Sequence, residues 1–246
     1  MIYKGDDFLQ KKIYFWIEDR EGKSGHTFWK ILMQSICPNV IVESKENNSK
    51  LLKAVKNLED KNNKYIIAFD NSFDNMQVLH EHQLLQQYIE QKENVREIDI
   101  ICFEYILLEF EKLIEWIYAP EDEFLGKRTK AVLAREKLLE VVKYRKIDYK
   151  DVPEIIEYNK EIIFYNIEQL AAKLLFDLTR NTGFEVLKGR IGDCWFKECC
   201  EWSNRNEDDI CGLDDRRLSI EEKMYAIYKF TSIASEFQKV GLEVSV

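Results

Sequence analysis

Between residues 13 and 102 short apolar runs alternate with stretches of helical period, the pattern of an α/β layer fold. Ile13 to Ile17 (IYFWI) predicts a buried strand. Ser24 then caps a predicted helix whose positions Phe28, Leu32, Met33 and Ile36 follow the 3.6-residue period, and Pro38 ends it. Val40 to Val42 predicts a second strand, Leu51, Leu52, Val55 and Leu58 a second helix, and Tyr65 to Phe69 a third strand. A polar cluster from Asp70 to Asn75 predicts a turn, followed by a helix over Met76 to Glu90 and a fourth strand over Ile98 to Cys102. Units this short imply a largely parallel sheet with helices on its faces.

Beyond Phe103 strand signals nearly vanish and helical stripes take over. Leu107, Phe110, Ile114 and Ile117 form one, Val132 to Val142 a second, and Ile163, Ile167, Leu170, Leu174 and Leu178 a third. Ser219 and Glu222 make a capping box for a last helix lined by Met224, Ile227, Phe230, Ala234 and Phe237, with Gly241 as its stop. The expected division is an α/β domain over residues 1–118 and a helical C-terminal region over 119–246, joined at Pro120 to Gly126.

Composition narrows the function. The 246 residues carry 36 Lys and Arg against 45 Asp and Glu, a net charge of -9, so general attraction to a nucleic-acid backbone is absent and such a partner needs a local basic patch. Apolar residues at 46% suffice for a core without disulfides, and the six cysteines are too irregular for a secreted disulfide framework. No window is apolar enough for a membrane span, and the charged first residues are unlike a signal peptide, so the expected location is cytoplasmic, with no membrane partner.

Acidic residues stand directly after predicted strands: Glu18 after the first, Asp70 and Asp74 after the third, Glu104 after the fourth. In a parallel sheet the strand C-terminal ends share one edge, where ligands bind, so these carboxylates are expected to converge. Clustered carboxylates suit Mg²⁺ or Mn²⁺, hard ions that polarise phosphoryl oxygens and activate water. The alternative for each acid is a helix cap or a solvated turn.

The stretches IYFWIEDREGKSGHTFWKIL, YIIAFDNSFDN and ICFEYILLEF, in this order, resemble the TOPRIM domain of topoisomerases, primases and OLD-family nucleases, and its relatives in bacterial antiphage defence. The resemblance spans about residues 12–112. It implies that Glu18 is a metal ligand or general acid/base, Asp70 the first metal-binding aspartate and Glu104 an accessory acid. The second aspartate of the family motif falls on Ser72, with Asp74 two residues later as the substitute ligand, and Asp19 stands where the family often has glycine. The implied activity is metal-dependent phosphodiester cleavage of DNA or RNA in a defence system, with a possible protein partner. The alternative is a degenerate, non-catalytic binding or regulatory subunit.

Three further segments carry chemistry. Arg20 and Lys23 are placed to contact phosphate at the start of the first helix, although Gly22-Lys23-Ser24 is no Walker A loop because Ile17 stands at the required glycine. Leu187 to Trp202 holds two glycines and the cations Lys188, Arg190 and Lys197. Lys188 and Arg190 are candidates for phosphate oxygens, Lys188 for the catalytic cation, and Trp195 either stacks on a base or packs in the core. Cys194, Cys199, Cys200 and Cys211 lack the paired spacing of a zinc site. His80 and His82 point to different helix faces, and His26 is either a proton donor near Glu18 or a surface residue. No serine- or cysteine-hydrolase pattern is present.

Overall fold

The computed structural model describes residues 11–117, 125–143, 150–199, 213 and 217–245. Four strands, β1 (Ile13–Ile17), β2 (Val40–Ser44), β3 (Lys64–Asp70) and β4 (Val95–Ile100), form one parallel sheet in the order β2-β1-β3-β4. Three helices connect them: α1 (Ser24–Ile36), α2 (Asn48–Lys56) and α3 (Met76–Glu90). The chain moves outward from β1 to β2 and then crosses back to β3 on the other side of β1. The order therefore reverses between β1 and β3, and the crevice beyond their C-terminal ends is the topological switch point.

Alternation along the strands sorts side chains to two faces. Phe15, Ile17, Ile66, Ala68, Ile98 and Ile100 face the large core, while Trp16, Tyr65, Ile67, Phe69 and Val95 face a smaller one closed by Leu51 and Val55 of α2 and Val78 and Leu85 of α3. The large core does not stop at the sheet. It runs through α1, α4 (Phe103–Glu109), α5 (Leu113–Trp116), α6 (Leu125–Val142), α7 (Val152–Ile156), α8 (Ile167–Thr179), α9 (Ile220–Lys229) and α10 (Ile233–Lys239) as one continuous cluster. The helical region thus shares a core with the α/β unit, and the joint expected at Pro120 to Gly126 lies outside the described residues except where Leu125 and Gly126 open α6.

Several boundaries differ from expectation for local reasons. β4 begins at Val95 and ends at Ile100, so Glu104 sits in the first turn of α4 rather than at a strand end. The last helical stripe is broken into α9 and α10: Phe230, Thr231 and Ser232 intervene, and Glu109 accepts hydrogen bonds from both the Ser232 N–H (3.1 Å) and its hydroxyl (2.6 Å). The capping box of Ser219 and Glu222 is present at α9 as expected. Edge strand β4 is covered in part by α10, where buried Glu236 accepts from the Asp99 N–H (2.9 Å). Among the described residues no helix is long and apolar enough to cross a membrane.

After α8 the chain makes a hairpin, β5 (Val186–Leu187) and β6 (Arg190–Ile191), and a 3-10 turn at Asp193–Trp195. Trp195 is 1% exposed, donates its indole N–H to the Phe184 carbonyl (2.7 Å) and packs on Phe184 and Trp116. Of the two readings of this residue the core is the correct one; no face is left for a base. Gly192 fits because its missing side chain would meet the Gly183 carbonyl and the Glu185 N–H. Gly192→Ala is therefore expected to force a backbone shift and to destabilise the protein by about 1–3 kcal/mol. A melting temperature within a degree of the native one would contradict this packing.

Candidate functional site

β1 and β3 end side by side at the switch point, and each delivers an acid there. Glu18 follows the last residue of β1, and Asp70 is the last residue of β3. Glu104 is brought to the same place by the first turn of α4, Asp19 by the residue after Glu18, and Glu168 by the first turn of α8. These five acids line a cavity of about 640 Å³ together with Arg20, Lys23, Ser24 and Lys188.

Burial is the main cause of the abnormal acidity of the group, because removal from water penalises the charged form. It pushes Glu18 from an ordinary 4.5 up to about 8 and Glu104 likewise to about 8, with added repulsion from Asp19 and Glu168 on each. Asp19 rises to about 6, chiefly by burial and then by repulsion from Glu168. Asp70 and Glu168 are also raised, burial first. Glu18 and Asp70 stand within hydrogen-bonding reach of each other, so a proton that either retains at its raised pKa can be shared between them.

The second aspartate position of the resemblance is filled in a different way. Ser72 is fully buried, and its hydroxyl donates to Glu168 (3.5 Å) across 96 residues of sequence. The short side chain leaves room for a carboxylate arriving from α8. Asp74, expected as the substitute ligand, stands behind the cavity wall, near enough to Glu168 to raise the pKa of that acid. Both its oxygens accept from the Ile167 N–H, at 3.0 and 3.2 Å, and it is not part of the cavity wall. An unsatisfied N–H at the first turn of a helix recruits a carboxylate more cheaply than a repelling acidic pocket does. Asp74 thereby fixes the start of α8, one residue before Glu168.

Asp19 and α1 are fitted to each other. A side chain at Gly25 would collide with the Asp19 carboxylate, so glycine is required there for the acid to reach the helix N-terminus. Ser24 does not cap α1, whose N-cap is Lys23; its hydroxyl donates instead to the Lys188 carbonyl (3.1 Å). That bond moors the tip of the β5–β6 hairpin at the cavity, where Lys23 Nζ lies 3.9 Å from the position a Cβ at Gly189 would take. Lys188 is close enough to Glu168 to oppose the rise in its pKa. Arg20, Lys23 and Lys188 thus meet at the rim, but Arg190 does not line the cavity, because the two-residue alternation of its strand turns it away.

The remaining candidates fall elsewhere. His26 Nδ1 accepts from the Gly22 N–H (3.4 Å) outside the cavity wall. His82 pairs with Glu97 (3.0 Å) on the far side of α3. Cys194 and Cys199 are partly buried, and Cys200, Cys211 and Trp202 lie outside the described residues.

The donor set suits a hard cation: oxygens only, from carboxylates whose high pKa values report missing positive charge. Among the described residues no three His, Cys, Asp or Glu side chains stand in an ion-holding arrangement. Comparison with family models, with curated proteins and with solved structures returned no match.

Two outcomes are expected. An acid whose folded-state pKa exceeds its unfolded value binds its proton more tightly in the native chain, so stability falls as pH rises between the two. In EDTA the melting temperature should drop between about pH 5 and about pH 8, and Glu18→Gln or Asp70→Asn should flatten that slope; a slope unchanged in both variants would refute the clustered burial. Ser72→Asp, which adds a buried acid against Glu168, should destabilise by roughly 1–3 kcal/mol, measured by urea unfolding, and a neutral result would show that Glu168 does not fill that space.

Proposed function

We propose that the protein is a Mg²⁺- or Mn²⁺-dependent phosphodiesterase acting on nucleic acid, with TOPRIM-like organisation and a role in bacterial antiphage defence. The observation that carries the reading is the convergence of Glu18, Asp70, Glu104 and Glu168 at the switch point of a parallel sheet, opposite a rim of three cations. Supporting it are the acids at the ends of β1 and β3, in the order that the resemblance requires.

Glu18 and Asp70, with Glu104 or Glu168, would hold the cation in place of the shared proton. Bound there, a divalent ion supplies a polarised phosphoryl oxygen and a water of lowered pKa. Lys188 and Lys23 hold the non-bridging phosphate oxygens and offset the charge that grows in the transition state. A carboxyl left outside the ion's reach keeps its proton near neutral pH and can pass it to the leaving oxygen. Asp74 and Ser72 act on position alone, through α8 and Glu168. The cytoplasm, with reduced thiols and available Mg²⁺, is the setting proposed.

A second reading is a binding or regulatory subunit without catalysis. It is favoured by Ser72 at the second aspartate position and by the closed, proton-sharing cluster.

The assay is incubation with single-stranded DNA, duplex DNA and RNA, in Mg²⁺, Mn²⁺ or EDTA. Cleavage should need the cation and fall about 10²–10⁴-fold in Glu18→Gln, Asp70→Asn and Glu168→Gln. Lys188→Ala should lose about tenfold to a hundredfold, and Asp74→Asn, which keeps an acceptor for Ile167, should stay within about threefold. No cation-dependent product on any substrate would leave the binding subunit as the better account.

A further inference from the structure

The opposite end of the sheet holds a feature that the acidic cavity does not use. Lys64 begins β3 and Asp70 ends it, so the two ends lie about 20 Å apart. Around Lys64 opens a hollow of about 1030 Å³, lined also by Lys11, Lys61, Lys92, Arg96 and Lys239. In a chain of net charge -9 this is a concentrated reversal of sign. Among the described residues, Lys239 pairs with Glu236, but Lys11, Lys61, Lys64, Lys92 and Arg96 make no ion pair with a carboxylate.

Three carboxylates share the wall, and one of them is already engaged. Asp60 accepts from the Tyr65 hydroxyl (2.7 Å), the Asn62 N–H (2.8 Å) and the Asn63 amide (2.6 Å). Glu59 and Glu93 are the other two, fewer than the cations they face. Two of the ammonium groups are held in place by backbone. Lys64 Nζ donates to the carbonyls of Val240 (2.6 Å) and Gly241 (2.8 Å) at the end of α10, and Lys92 Nζ to the Leu58 carbonyl (2.7 Å). Carbonyls at helix ends carry only partial negative charge, so they fix the ammonium groups and offset their charge in part. Desolvation and then Arg96 disfavour the charged form of Lys64, so the cations repel one another.

The ligand chemistry follows from the wall. Among the described residues its apolar side chains are Leu58 and Val240, and no aromatic ring lines it. A nucleobase has nothing to stack on, and an apolar anchor has no pocket. Clustered positive charges, two of them held in place by backbone carbonyls, suit an anion carrying several charges close together. We propose that this hollow is a second anion site that binds phosphate groups, from a polyphosphate chain or a nucleic-acid backbone, independently of the acidic cavity.

The test is binding of inorganic tripolyphosphate, ATP and a single-stranded oligonucleotide to the full chain in EDTA, by calorimetry or fluorescence anisotropy. At least one should bind, with affinity falling steeply as salt is raised. Tripolyphosphate and ATP binding alike would assign a free phosphate chain; the oligonucleotide alone would assign a strand backbone. Lys61→Glu/Arg96→Glu changes two exposed residues and should weaken binding at least about tenfold, a loss of about 1.4 kcal/mol; Lys11→Glu is a second, independent probe of the same wall. Lys30→Glu on α1 should leave binding unchanged. Asp70→Asn should also leave it unchanged, which separates this site from the proposed catalytic one. The proposal is overturned if none of the three binds, if the wall variants bind as the native chain does, or if polyglutamate of equal charge binds as tightly.

Discussion

Burying one carboxylate costs several kcal/mol unless charge or hydrogen bonds compensate it, and this protein gathers a group of them around the ends of β1 and β3, with Asp70 buried and Glu18, Glu104 and Glu168 partly buried. A parallel sheet gives no choice about direction: all strand ends face the same way, so acids that follow strands are brought together whatever their separation in sequence. Repulsion and desolvation then act on Glu18, Asp70, Glu104 and Glu168 at once, and each is pushed toward its neutral form. Carboxylates perturbed in this way, lining a cavity, mark a candidate functional site.

The helical region turns a crevice into a site. Asp74 secures the start of α8 through the Ile167 N–H, Ser72 receives Glu168, and Ser24 moors the hairpin that carries Lys188. Each tie joins the α/β part to an element beyond residue 160. A shared hydrophobic core makes these ties rigid, since α1 and α4 pack with α8 and α9 in one cluster. The α/β part presents Glu18, Asp70, Glu104, Arg20 and Lys23, and the helical region completes the cavity with Glu168 and Lys188.

Much of the sheet was legible in the sequence because strands buried on both faces read as apolar runs, and IYFWI and YIIAF stand out between polar turns. Glu18, Asp70 and Glu104 were legible for the same reason, as acids next to such runs or soon after them. Glu168 was not. It sits in the first turn of an ordinary amphipathic helix behind the cap Asn166, where an acid is common, and only tertiary packing brings it to Ser72. Asp74 misled because a carboxylate two residues from a motif position looks like a ligand, while its real partner, an N–H of α8, lies 93 residues away. Lys188 and Arg190 looked equivalent in a glycine-rich segment, and only the hairpin register separates them. The basic hollow was invisible for a similar reason, being assembled from the starts of strands and the ends of helices.

The central claim is that the cluster holds protons where it would otherwise hold a cation. Titrating Mn²⁺ into the protein at neutral pH, in two buffers of different ionisation enthalpy, counts the protons released as the ion binds. The account predicts saturable binding with release of about one proton or more per ion, both lost in a Glu18→Gln/Asp70→Asn double variant. Absence of saturable binding, or binding that persists unchanged in the double variant, would contradict it.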